Sequence, residues 1–73
     1  LGDVYKRQTL AFAVAEFARY GGPPIVIADP TLSRRTISGW FPARDPVAFA
    51  TAAAAVFDAQ VAVRADRIVL EPR

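Results

Sequence analysis

Apolar side chains recur along this chain with two different spacings. In residues 10–20 they lie three and four positions apart, with Leu10 and Phe17 on one face, and this spacing predicts a helix. The hydroxyl of Thr9 can cap the first turn of that helix. Gly21 suits the left-handed position just past a helix end, and the two prolines that follow prevent the helix from continuing.

The next predicted element is a short buried strand at residues 24–28. The run Ile25-Val26-Ile27 is β-branched throughout, which favours a strand. Asp29-Pro30 then starts a turn. Residues 31–35 are predicted to form a surface loop that has room for one helical turn.

A second strand is predicted at residues 36–41. Alternation places Ile37 and Phe41 on one face of this strand and Trp40 on the other. Gly39 shares the face of Ile37 and Phe41. A glycine weakens a strand unless another backbone or side chain must approach it closely.

The last third of the chain predicts a helix followed by a hairpin. Asp45-Pro46 is a strong helix start, because an N-cap carboxylate precedes a proline at the first helical position. This helix is predicted to end near residue 58 or 59. Apolar residues then alternate on both sides of a polar turn at residues 64–67, which predicts a terminal β-hairpin. The alternating residues are Val61, Val63, Ile68 and Leu70.

Both predicted helices are apolar on nearly all sides. Only Glu16 and Arg19 are charged in the first, and alanine, valine and phenylalanine dominate the second. A helix that lies on one sheet keeps a polar side, whereas a helix without one must be covered on two sides. We therefore predict an α+β fold in which two apolar helices lie between small β-sheets. A partner domain that covers one side of the helices is the alternative.

Residues 1–8 differ from the rest of the chain. The only lysine is Lys6, and the run Asp3-Val4-Tyr5-Lys6-Arg7-Gln8 looks like an in-frame translation of a transposon-end sequencing adapter. We interpret residues 1–8 as a non-native segment and residues 9–73 as a single domain that lacks its N-terminal part. A genuine polar strand or tail is the alternative. Without this segment seven arginines face six carboxylates, so the net charge falls from +2 to +1.

Composition excludes several kinds of chemistry. At 73 residues the chain is at most one domain. It has no cysteine and no histidine, which excludes disulfides, zinc sites and catalysis by either residue. Asp29 is expected to start a turn, Asp45 to cap a helix and Asp58 to end one, so their carboxylates have structural roles. We therefore expect no enzyme, no catalytic, cofactor-binding or metal-binding residues and no cofactor. Scattered basic residues argue against nucleic-acid binding, and no apolar run approaches the ~18–20 residues of a membrane span.

Three residues are candidates for contact with a protein partner. Trp40 faces away from the apolar side of its strand and would suit a hot-spot anchor. Its alternative role is to cover the loop or the other sheet. Arg34 and Arg35 would suit an acidic partner surface, and a solvated loop is the alternative.

The order of these elements resembles that of a known signalling domain. A glycine-stopped helix, an Ile-Val-Ile strand, an Asp-Pro turn, an Ile-Ser-Gly-x-Phe strand, an Asp-Pro helix and a hairpin follow one another. The chain resembles the C-terminal periplasmic domain of FecR-type regulators, which are anti-sigma or sigma-regulator proteins of cell-surface signalling. The resemblance extends from Thr9 to Arg73 and is carried by residues 15–20, 24–30, 37–41, 44–49, 61–63 and 68–70.

The resemblance implies a fold with two helices between a two-stranded and a three-stranded sheet. A strand normally precedes the first helix, and here the suspected adapter occupies its place, so we expect the first strand to be missing. The implied function is signalling by contact, as the periplasmic part of a single-pass inner-membrane protein. It receives a signal from the periplasmic signalling domain of a TonB-dependent transducer that senses a ferric ligand. The absent N-terminal part would span the membrane and control a cytoplasmic sigma factor.

The same layout resembles the short N-terminal signalling domain of TonB-dependent transducers and secretins, which is the alternative identity. Transducer domains tend to close the second helix with a glycine-containing turn. The run Phe57-Asp58-Ala59-Gln60 contains no glycine, and this departure favours the regulator. A plug and a β-barrel encoded downstream would favour the transducer.

Overall fold

A computed structural model of the chain describes residues 2–19 and 21–73. The described residues form five strands and three helices, which confirms the α+β class. Tyr20, which we assign to the first helix from its spacing, and Leu1 lie outside the described residues. In chain order the elements are β1 (Gly2–Thr9), α1 (Leu10–Ala18), β2 (Ile25–Ile27), α2 (Pro30–Ser33), β3 (Thr36–Pro42), α3 (Pro46–Phe57), β4 (Ala59–Val63) and β5 (Ile68–Pro72).

The strands form two separate sheets. β1 and β3 make a two-stranded antiparallel sheet, while β2, β5 and β4 make a three-stranded sheet with β5 in the middle. β5 is parallel to β2 and antiparallel to β4. α1 contacts β1 and β2, and α3 contacts β3, β4 and β5. Each of these two helices therefore touches both sheets, which is the two-sided burial that a nearly apolar helix requires.

Aromatic rings fill the space between the layers. Phe49 of α3 is fully buried, and its ring centroid lies 4.6 Å from that of Phe17 on α1. The rings of Tyr5 on β1 and Phe41 on β3 lie 6.1 Å and 5.7 Å from Phe49. Tyr5 and Phe41 also meet edge to face at 5.8 Å, a favoured arrangement for aromatic pairs. This cluster joins the two-stranded sheet to both long helices.

Side-chain caps begin the helices where the sequence predicts them. The Thr9 hydroxyl oxygen accepts a hydrogen bond from the Phe12 N–H at 3.1 Å. The Asp45 carboxylate accepts one from the Ala48 N–H at 3.1 Å, with proline at the next position. Asp29 does the same for α2, the single helical turn for which the loop has room. Each cap satisfies an amide that the helix itself leaves unpaired.

A residue in the left-handed conformation follows each of the two long helices, a glycine in one case and an aspartate in the other. Gly21 takes a left-handed conformation with φ 83° just after α1, as predicted. Asp58 takes the left-handed position after α3 with φ 54°, although it is not a glycine. Its N–H donates to the carbonyl of Ala54. Aspartate tolerates this conformation better than most residues, so the helix closes without the glycine.

The expectation that the first strand is missing is wrong. Gly2–Thr9 forms β1 and pairs with β3 from Gly2 opposite Pro42 to Thr9 opposite Thr36. Tyr5 is buried because alternation along β1 turns it toward the aromatic cluster. The foreign origin of residues 1–8 stays a prediction, since a segment of any origin forms this strand if its side chains alternate suitably.

A bulge interrupts β1 beside Gly39. Tyr5 pairs with Gly39 and Gln8 with Ile37, so two residues of β1 lie opposite one residue of β3. Arg7 is left-handed there, with φ 54°, and its N–H donates to the Ser38 hydroxyl oxygen at 3.0 Å. Gly39 has φ 109°, and no heavy atom lies within 4 Å of the place where a Cβ would stand. No close approach accounts for this glycine, and the backbone angle is what requires it.

We expect Phe49→Ala to lower the free energy of unfolding by ~3–5 kcal/mol, because it leaves a large cavity at a fully buried site. A domain of this size has a total stability of about 4–11 kcal/mol. Urea unfolding followed by circular dichroism measures the change. Val56→Ala, at a site that is 58% exposed, is the matched control. Equal stability of the two variants would contradict the central position of Phe49.

A second stability prediction concerns β1. Tyr5→Ala should cost about 3 kcal/mol through loss of a buried ring. Val4→Ala, at the neighbouring exposed position, should change stability by less than about 0.5 kcal/mol. The same urea titration compares the two variants. Equal effects would mean that β1 does not contribute its inward side chain to the core in solution.

Candidate protein-interaction surface

Trp40, the largest of the three candidate partner-binding side chains, lies on the outer face of the two-stranded sheet. β3 turns Ile37 and Phe41 into the core, so alternation turns Trp40 outward. Trp40 is 61% exposed. Val4 pairs directly opposite it on β1 and is 66% exposed.

The Trp40 ring lies across its own sheet. A Cβ on Gly2 would overlap the Cε2, Nε1 and Cζ2 atoms of that ring, so the indole rests on the Gly2 backbone. The alternative role of Trp40 was to cover the loop at residues 31–35 or the three-stranded sheet. It covers neither, because its ring lies on Gly2 of its own sheet and is 61% exposed. Gly2, Val4 and Trp40 together make one apolar patch, which we call the Trp40 face.

Arg34 and Arg35 lie at the far end of β3 from Trp40. The buried Leu32 anchors α2 on the core, and both arginines follow it in an exposed position. The Arg35 guanidinium lies over the Phe57 ring at 5.1 Å, a cation–π contact. Its carbonyl accepts the Leu10 N–H at 2.8 Å. Arg35 thus connects the start of β3 to the start of α1 and to the end of α3, which is a structural role separate from any role in binding.

The three predicted partner residues do not form one patch. Five positions separate Arg35 from Trp40, which is about 17 Å along an extended strand. Arg35 contacts Phe57 of α3, whereas Trp40 lies on the outward face of the sheet. Arg34 is exposed, and none of the ion pairs among the described residues includes it. The structure therefore separates a Trp40 face from an arginine end.

Val4 is the surface residue that sequence reasoning missed. Its segment resembles an adapter translation, so the sequence gives no reason to assign its side chain a role. Alternation around Tyr5 was the available signal, because an inward Tyr5 places Val4 outward. The pairing with Trp40 depends on the register of β1 against β3, which no local pattern reveals.

The three aspartates considered for catalysis are dispersed. Asp29 caps α2, and Asp45 and Asp58 stand at opposite ends of the twelve-residue α3, about 18 Å apart. Asp58 lies 3.5 Å from the guanidinium of Arg73. Within the described residues, no three carboxylate, histidine or cysteine side chains come close enough to hold a metal ion.

The surface of the described residues includes two open depressions. One has a volume of about 220 Å³ and is lined by Phe17, Gly21, Arg44 and Pro46. The other, about 330 Å³, runs between β1 and α1 past Asp3, Gln8, Phe12 and Glu16. Small-molecule sites are usually concave pockets in which polar groups converge on an apolar lining. The second depression has two carboxylates in its lining, Asp3 and Glu16. Glu16 is paired with Arg19 at 3.4 Å.

None of the helices in the described part of the chain is long and apolar enough to cross a membrane.

The exposure of Trp40 predicts its fluorescence. Trp40 is the only tryptophan, so the emission of the folded protein should resemble that of a solvent-exposed indole and acrylamide should quench it readily. Unfolding in urea should change its emission wavelength little. A blue-shifted, poorly quenched emission that shifts on unfolding would show that the indole is buried.

No family model matches the chain, and no curated protein sequence matches it. The likeness to FecR-type domains therefore rests on the order and spacing of its motifs.

Proposed function

We propose that this domain is a protein–protein interaction module, the periplasmic receiving part of a transmembrane sigma-factor regulator. Its partner is the periplasmic signalling domain of an outer-membrane TonB-dependent transducer. The observation that carries the proposal is the Trp40 face, an exposed tryptophan and valine paired on the outside of the small sheet. The layout of two helices between a two-stranded and a three-stranded sheet supports it as well, because the resemblance implies this layout.

The chemistry of the Trp40 face suits binding by contact. Tryptophan is enriched among the residues that dominate binding energy, since it brings a large rigid area with few rotatable bonds. The Gly2 backbone supports the ring from below, which limits the motion that binding must arrest. Val4 extends the apolar surface on the neighbouring strand. Exposed apolar patches rimmed by polar residues mark interaction sites.

Charge on the rest of the surface supports protein contact over nucleic-acid contact. Three arginines already pair with a carboxylate of the same chain: Arg19 with Glu16, Arg67 with Asp66 and Arg73 with Asp58. The net charge is only +2. A nucleic-acid surface needs basic residues gathered on one face.

The proposed setting follows the resemblance. An upstream segment spans the inner membrane once and reaches a cytoplasmic sigma factor, and the receiving domain stands in the periplasm. The signal concerns uptake of a ferric ligand and ends in transcription regulation. No enzyme activity is assigned.

The second candidate is the signalling domain of a TonB-dependent transducer or secretin. The two-sheet layout supports it equally, because both families are implied to share that layout. Asp58, rather than a glycine, closes α3 and favours the regulator. The neighbouring coding sequence separates the two: a single membrane span upstream supports the regulator, and a plug with a β-barrel downstream supports the transducer.

Trp40→Ala should weaken binding to the transducer signalling domain encoded at the same locus by at least about 2 kcal/mol, or roughly thirtyfold, as expected for a hot-spot residue. Isothermal titration calorimetry with the two purified domains measures the dissociation constant. Urea unfolding of the variant confirms that its stability is retained.

Val56→Ala is the matched control, because it truncates a side chain of similar exposure on α3, away from the Trp40 face. Its affinity should equal that of the unchanged domain. Equal affinity of the Trp40→Ala variant would remove the Trp40 face from the proposal. Absence of any binding by the unchanged domain would remove this partner altogether.

A further inference from the structure

β4 is the edge strand without a protective device. The described residues contain four edge strands, since β5 alone has a neighbour on both sides. β1 carries a bulge with a left-handed Arg7, and β3 contains Gly39 and ends at Pro42. β2 has three residues and follows two prolines. Such features normally keep edges from pairing, and Ala59–Val63 contains no proline, glycine, bulge or charge.

The hydrogen-bond pattern shows which backbone groups face the open side of β4. The Arg64 N–H donates to the Arg67 carbonyl at 2.8 Å, so this pair closes the hairpin as a hydrogen-bonded pair. Antiparallel ladders alternate, which makes Ala62 opposite Val69 the next such pair. The N–H and C=O groups of Val61 and Val63 therefore point away from β5.

The bonds to β2 confirm this alternation. On β5, Ile68 donates to the Pro24 carbonyl at 2.9 Å, and Leu70 accepts from the Ala28 N–H at 2.9 Å. Ile68 and Leu70 thus turn their backbone groups toward β2, and their partners on β4 turn theirs outward. Val61 and Val63 together present two donors and two acceptors in a row, the template that an added strand requires.

The side chains at this edge are incompletely covered. The side chains of Val63 and the buried Ala59 lie on the same face of β4, yet Val63 is 61% exposed. Val61 lies between them and is half-buried against the core. A neighbouring strand would cover Val63, which the chain itself leaves in water.

We propose that the β4 edge pairs antiparallel with the β4 edge of a second copy of this chain. The register that uses all five residues places Val61 opposite its own counterpart on a two-fold axis. Ala59 then lies opposite Val63 of the other copy, and each such pair is hydrogen-bonded because these residues face outward. The result is one continuous six-stranded sheet.

Charge at the two ends of β4 favours this occupant. Asp58 precedes the strand and Arg64 follows it; both are exposed, and Asp58 also pairs with Arg73 of its own chain at 3.5 Å. In the symmetric register each Asp58 comes opposite the Arg64 of the other copy, so both ends bring opposite charges together. The Ala59 carbonyl accepts the Arg73 Nε–H at 3.2 Å and retains a second lone pair for the added strand.

The dimer goes beyond the proposed function, because the Trp40 face belongs to the other sheet. A five-residue edge buries less than the ~1,200 Å² of standard stable interfaces. We therefore expect dissociation constants of roughly 10–500 μM, in the range of weak and transient contacts.

Sedimentation equilibrium of the chain up to 1 mM tests the proposal. The unchanged chain should fit a monomer–dimer equilibrium, and Val63→Lys should weaken dimerisation at least tenfold, because it puts a charged side chain where the added strand would cover an apolar one opposite Ala59. Val56→Lys adds the same charge at an equally exposed valine of α3 and should leave dimerisation unchanged. A monomer throughout, or equal effects of both lysines, would overturn the proposal.

Cross-linking tests the register independently. The chain contains no cysteine, so Gln60→Cys and Ala62→Cys can be introduced alone and mixed. In the symmetric register residue 60 of one copy opposes residue 62 of the other as a non-hydrogen-bonded pair, with Cα atoms about 4.5 Å apart, within the range of a disulfide.

Mild oxidation of the mixture should form a mixed disulfide at least tenfold faster than either variant cross-links alone. Equal rates, or no mixed product, would overturn the register. Binding of the transducer domain by calorimetry is the separate readout for the Trp40 face, so failure of one proposal leaves the other measurable.

Discussion

The position of Phe49 between the two sheets is the contact on which the rest of the structure depends. Its ring meets side chains from both strands of the small sheet and from α1, while α3 itself packs on the three-stranded sheet. Buried alanines on the same helix let the layers approach closely. A domain of 73 residues has little other apolar volume to bury, so loss of this ring would separate the layers.

This central packing divides the surface into parts with different properties. Holding the helices between two sheets turns the outer face of each sheet toward water and leaves the sheet edges open. The small sheet thereby displays Trp40 with Val4, and the larger sheet displays the backbone of β4. One surface offers apolar side chains and the other offers hydrogen bonds, so they suit different partners.

The candidate site was predictable in part. Alternation along β3 sufficed to turn Trp40 away from Ile37 and Phe41, because that pattern is local. The contribution of Val4 and the contact of Arg35 with Phe57 were not predictable, since each joins segments more than twenty residues apart. The sequence offered Trp40 and Arg35 as separate candidates, and the structure places them at opposite ends of β3.

The sequence by itself determined where the helices begin and end. Caps, prolines and glycines act within a few residues, so Asp45 and Gly21 mark boundaries wherever the chain folds. Only the tertiary structure decided that residues 2–9 pair with β3, that Gly39 serves a backbone angle, and that β4 has an open edge. Those outcomes depend on register and on sheet order, which arise from contacts between distant segments.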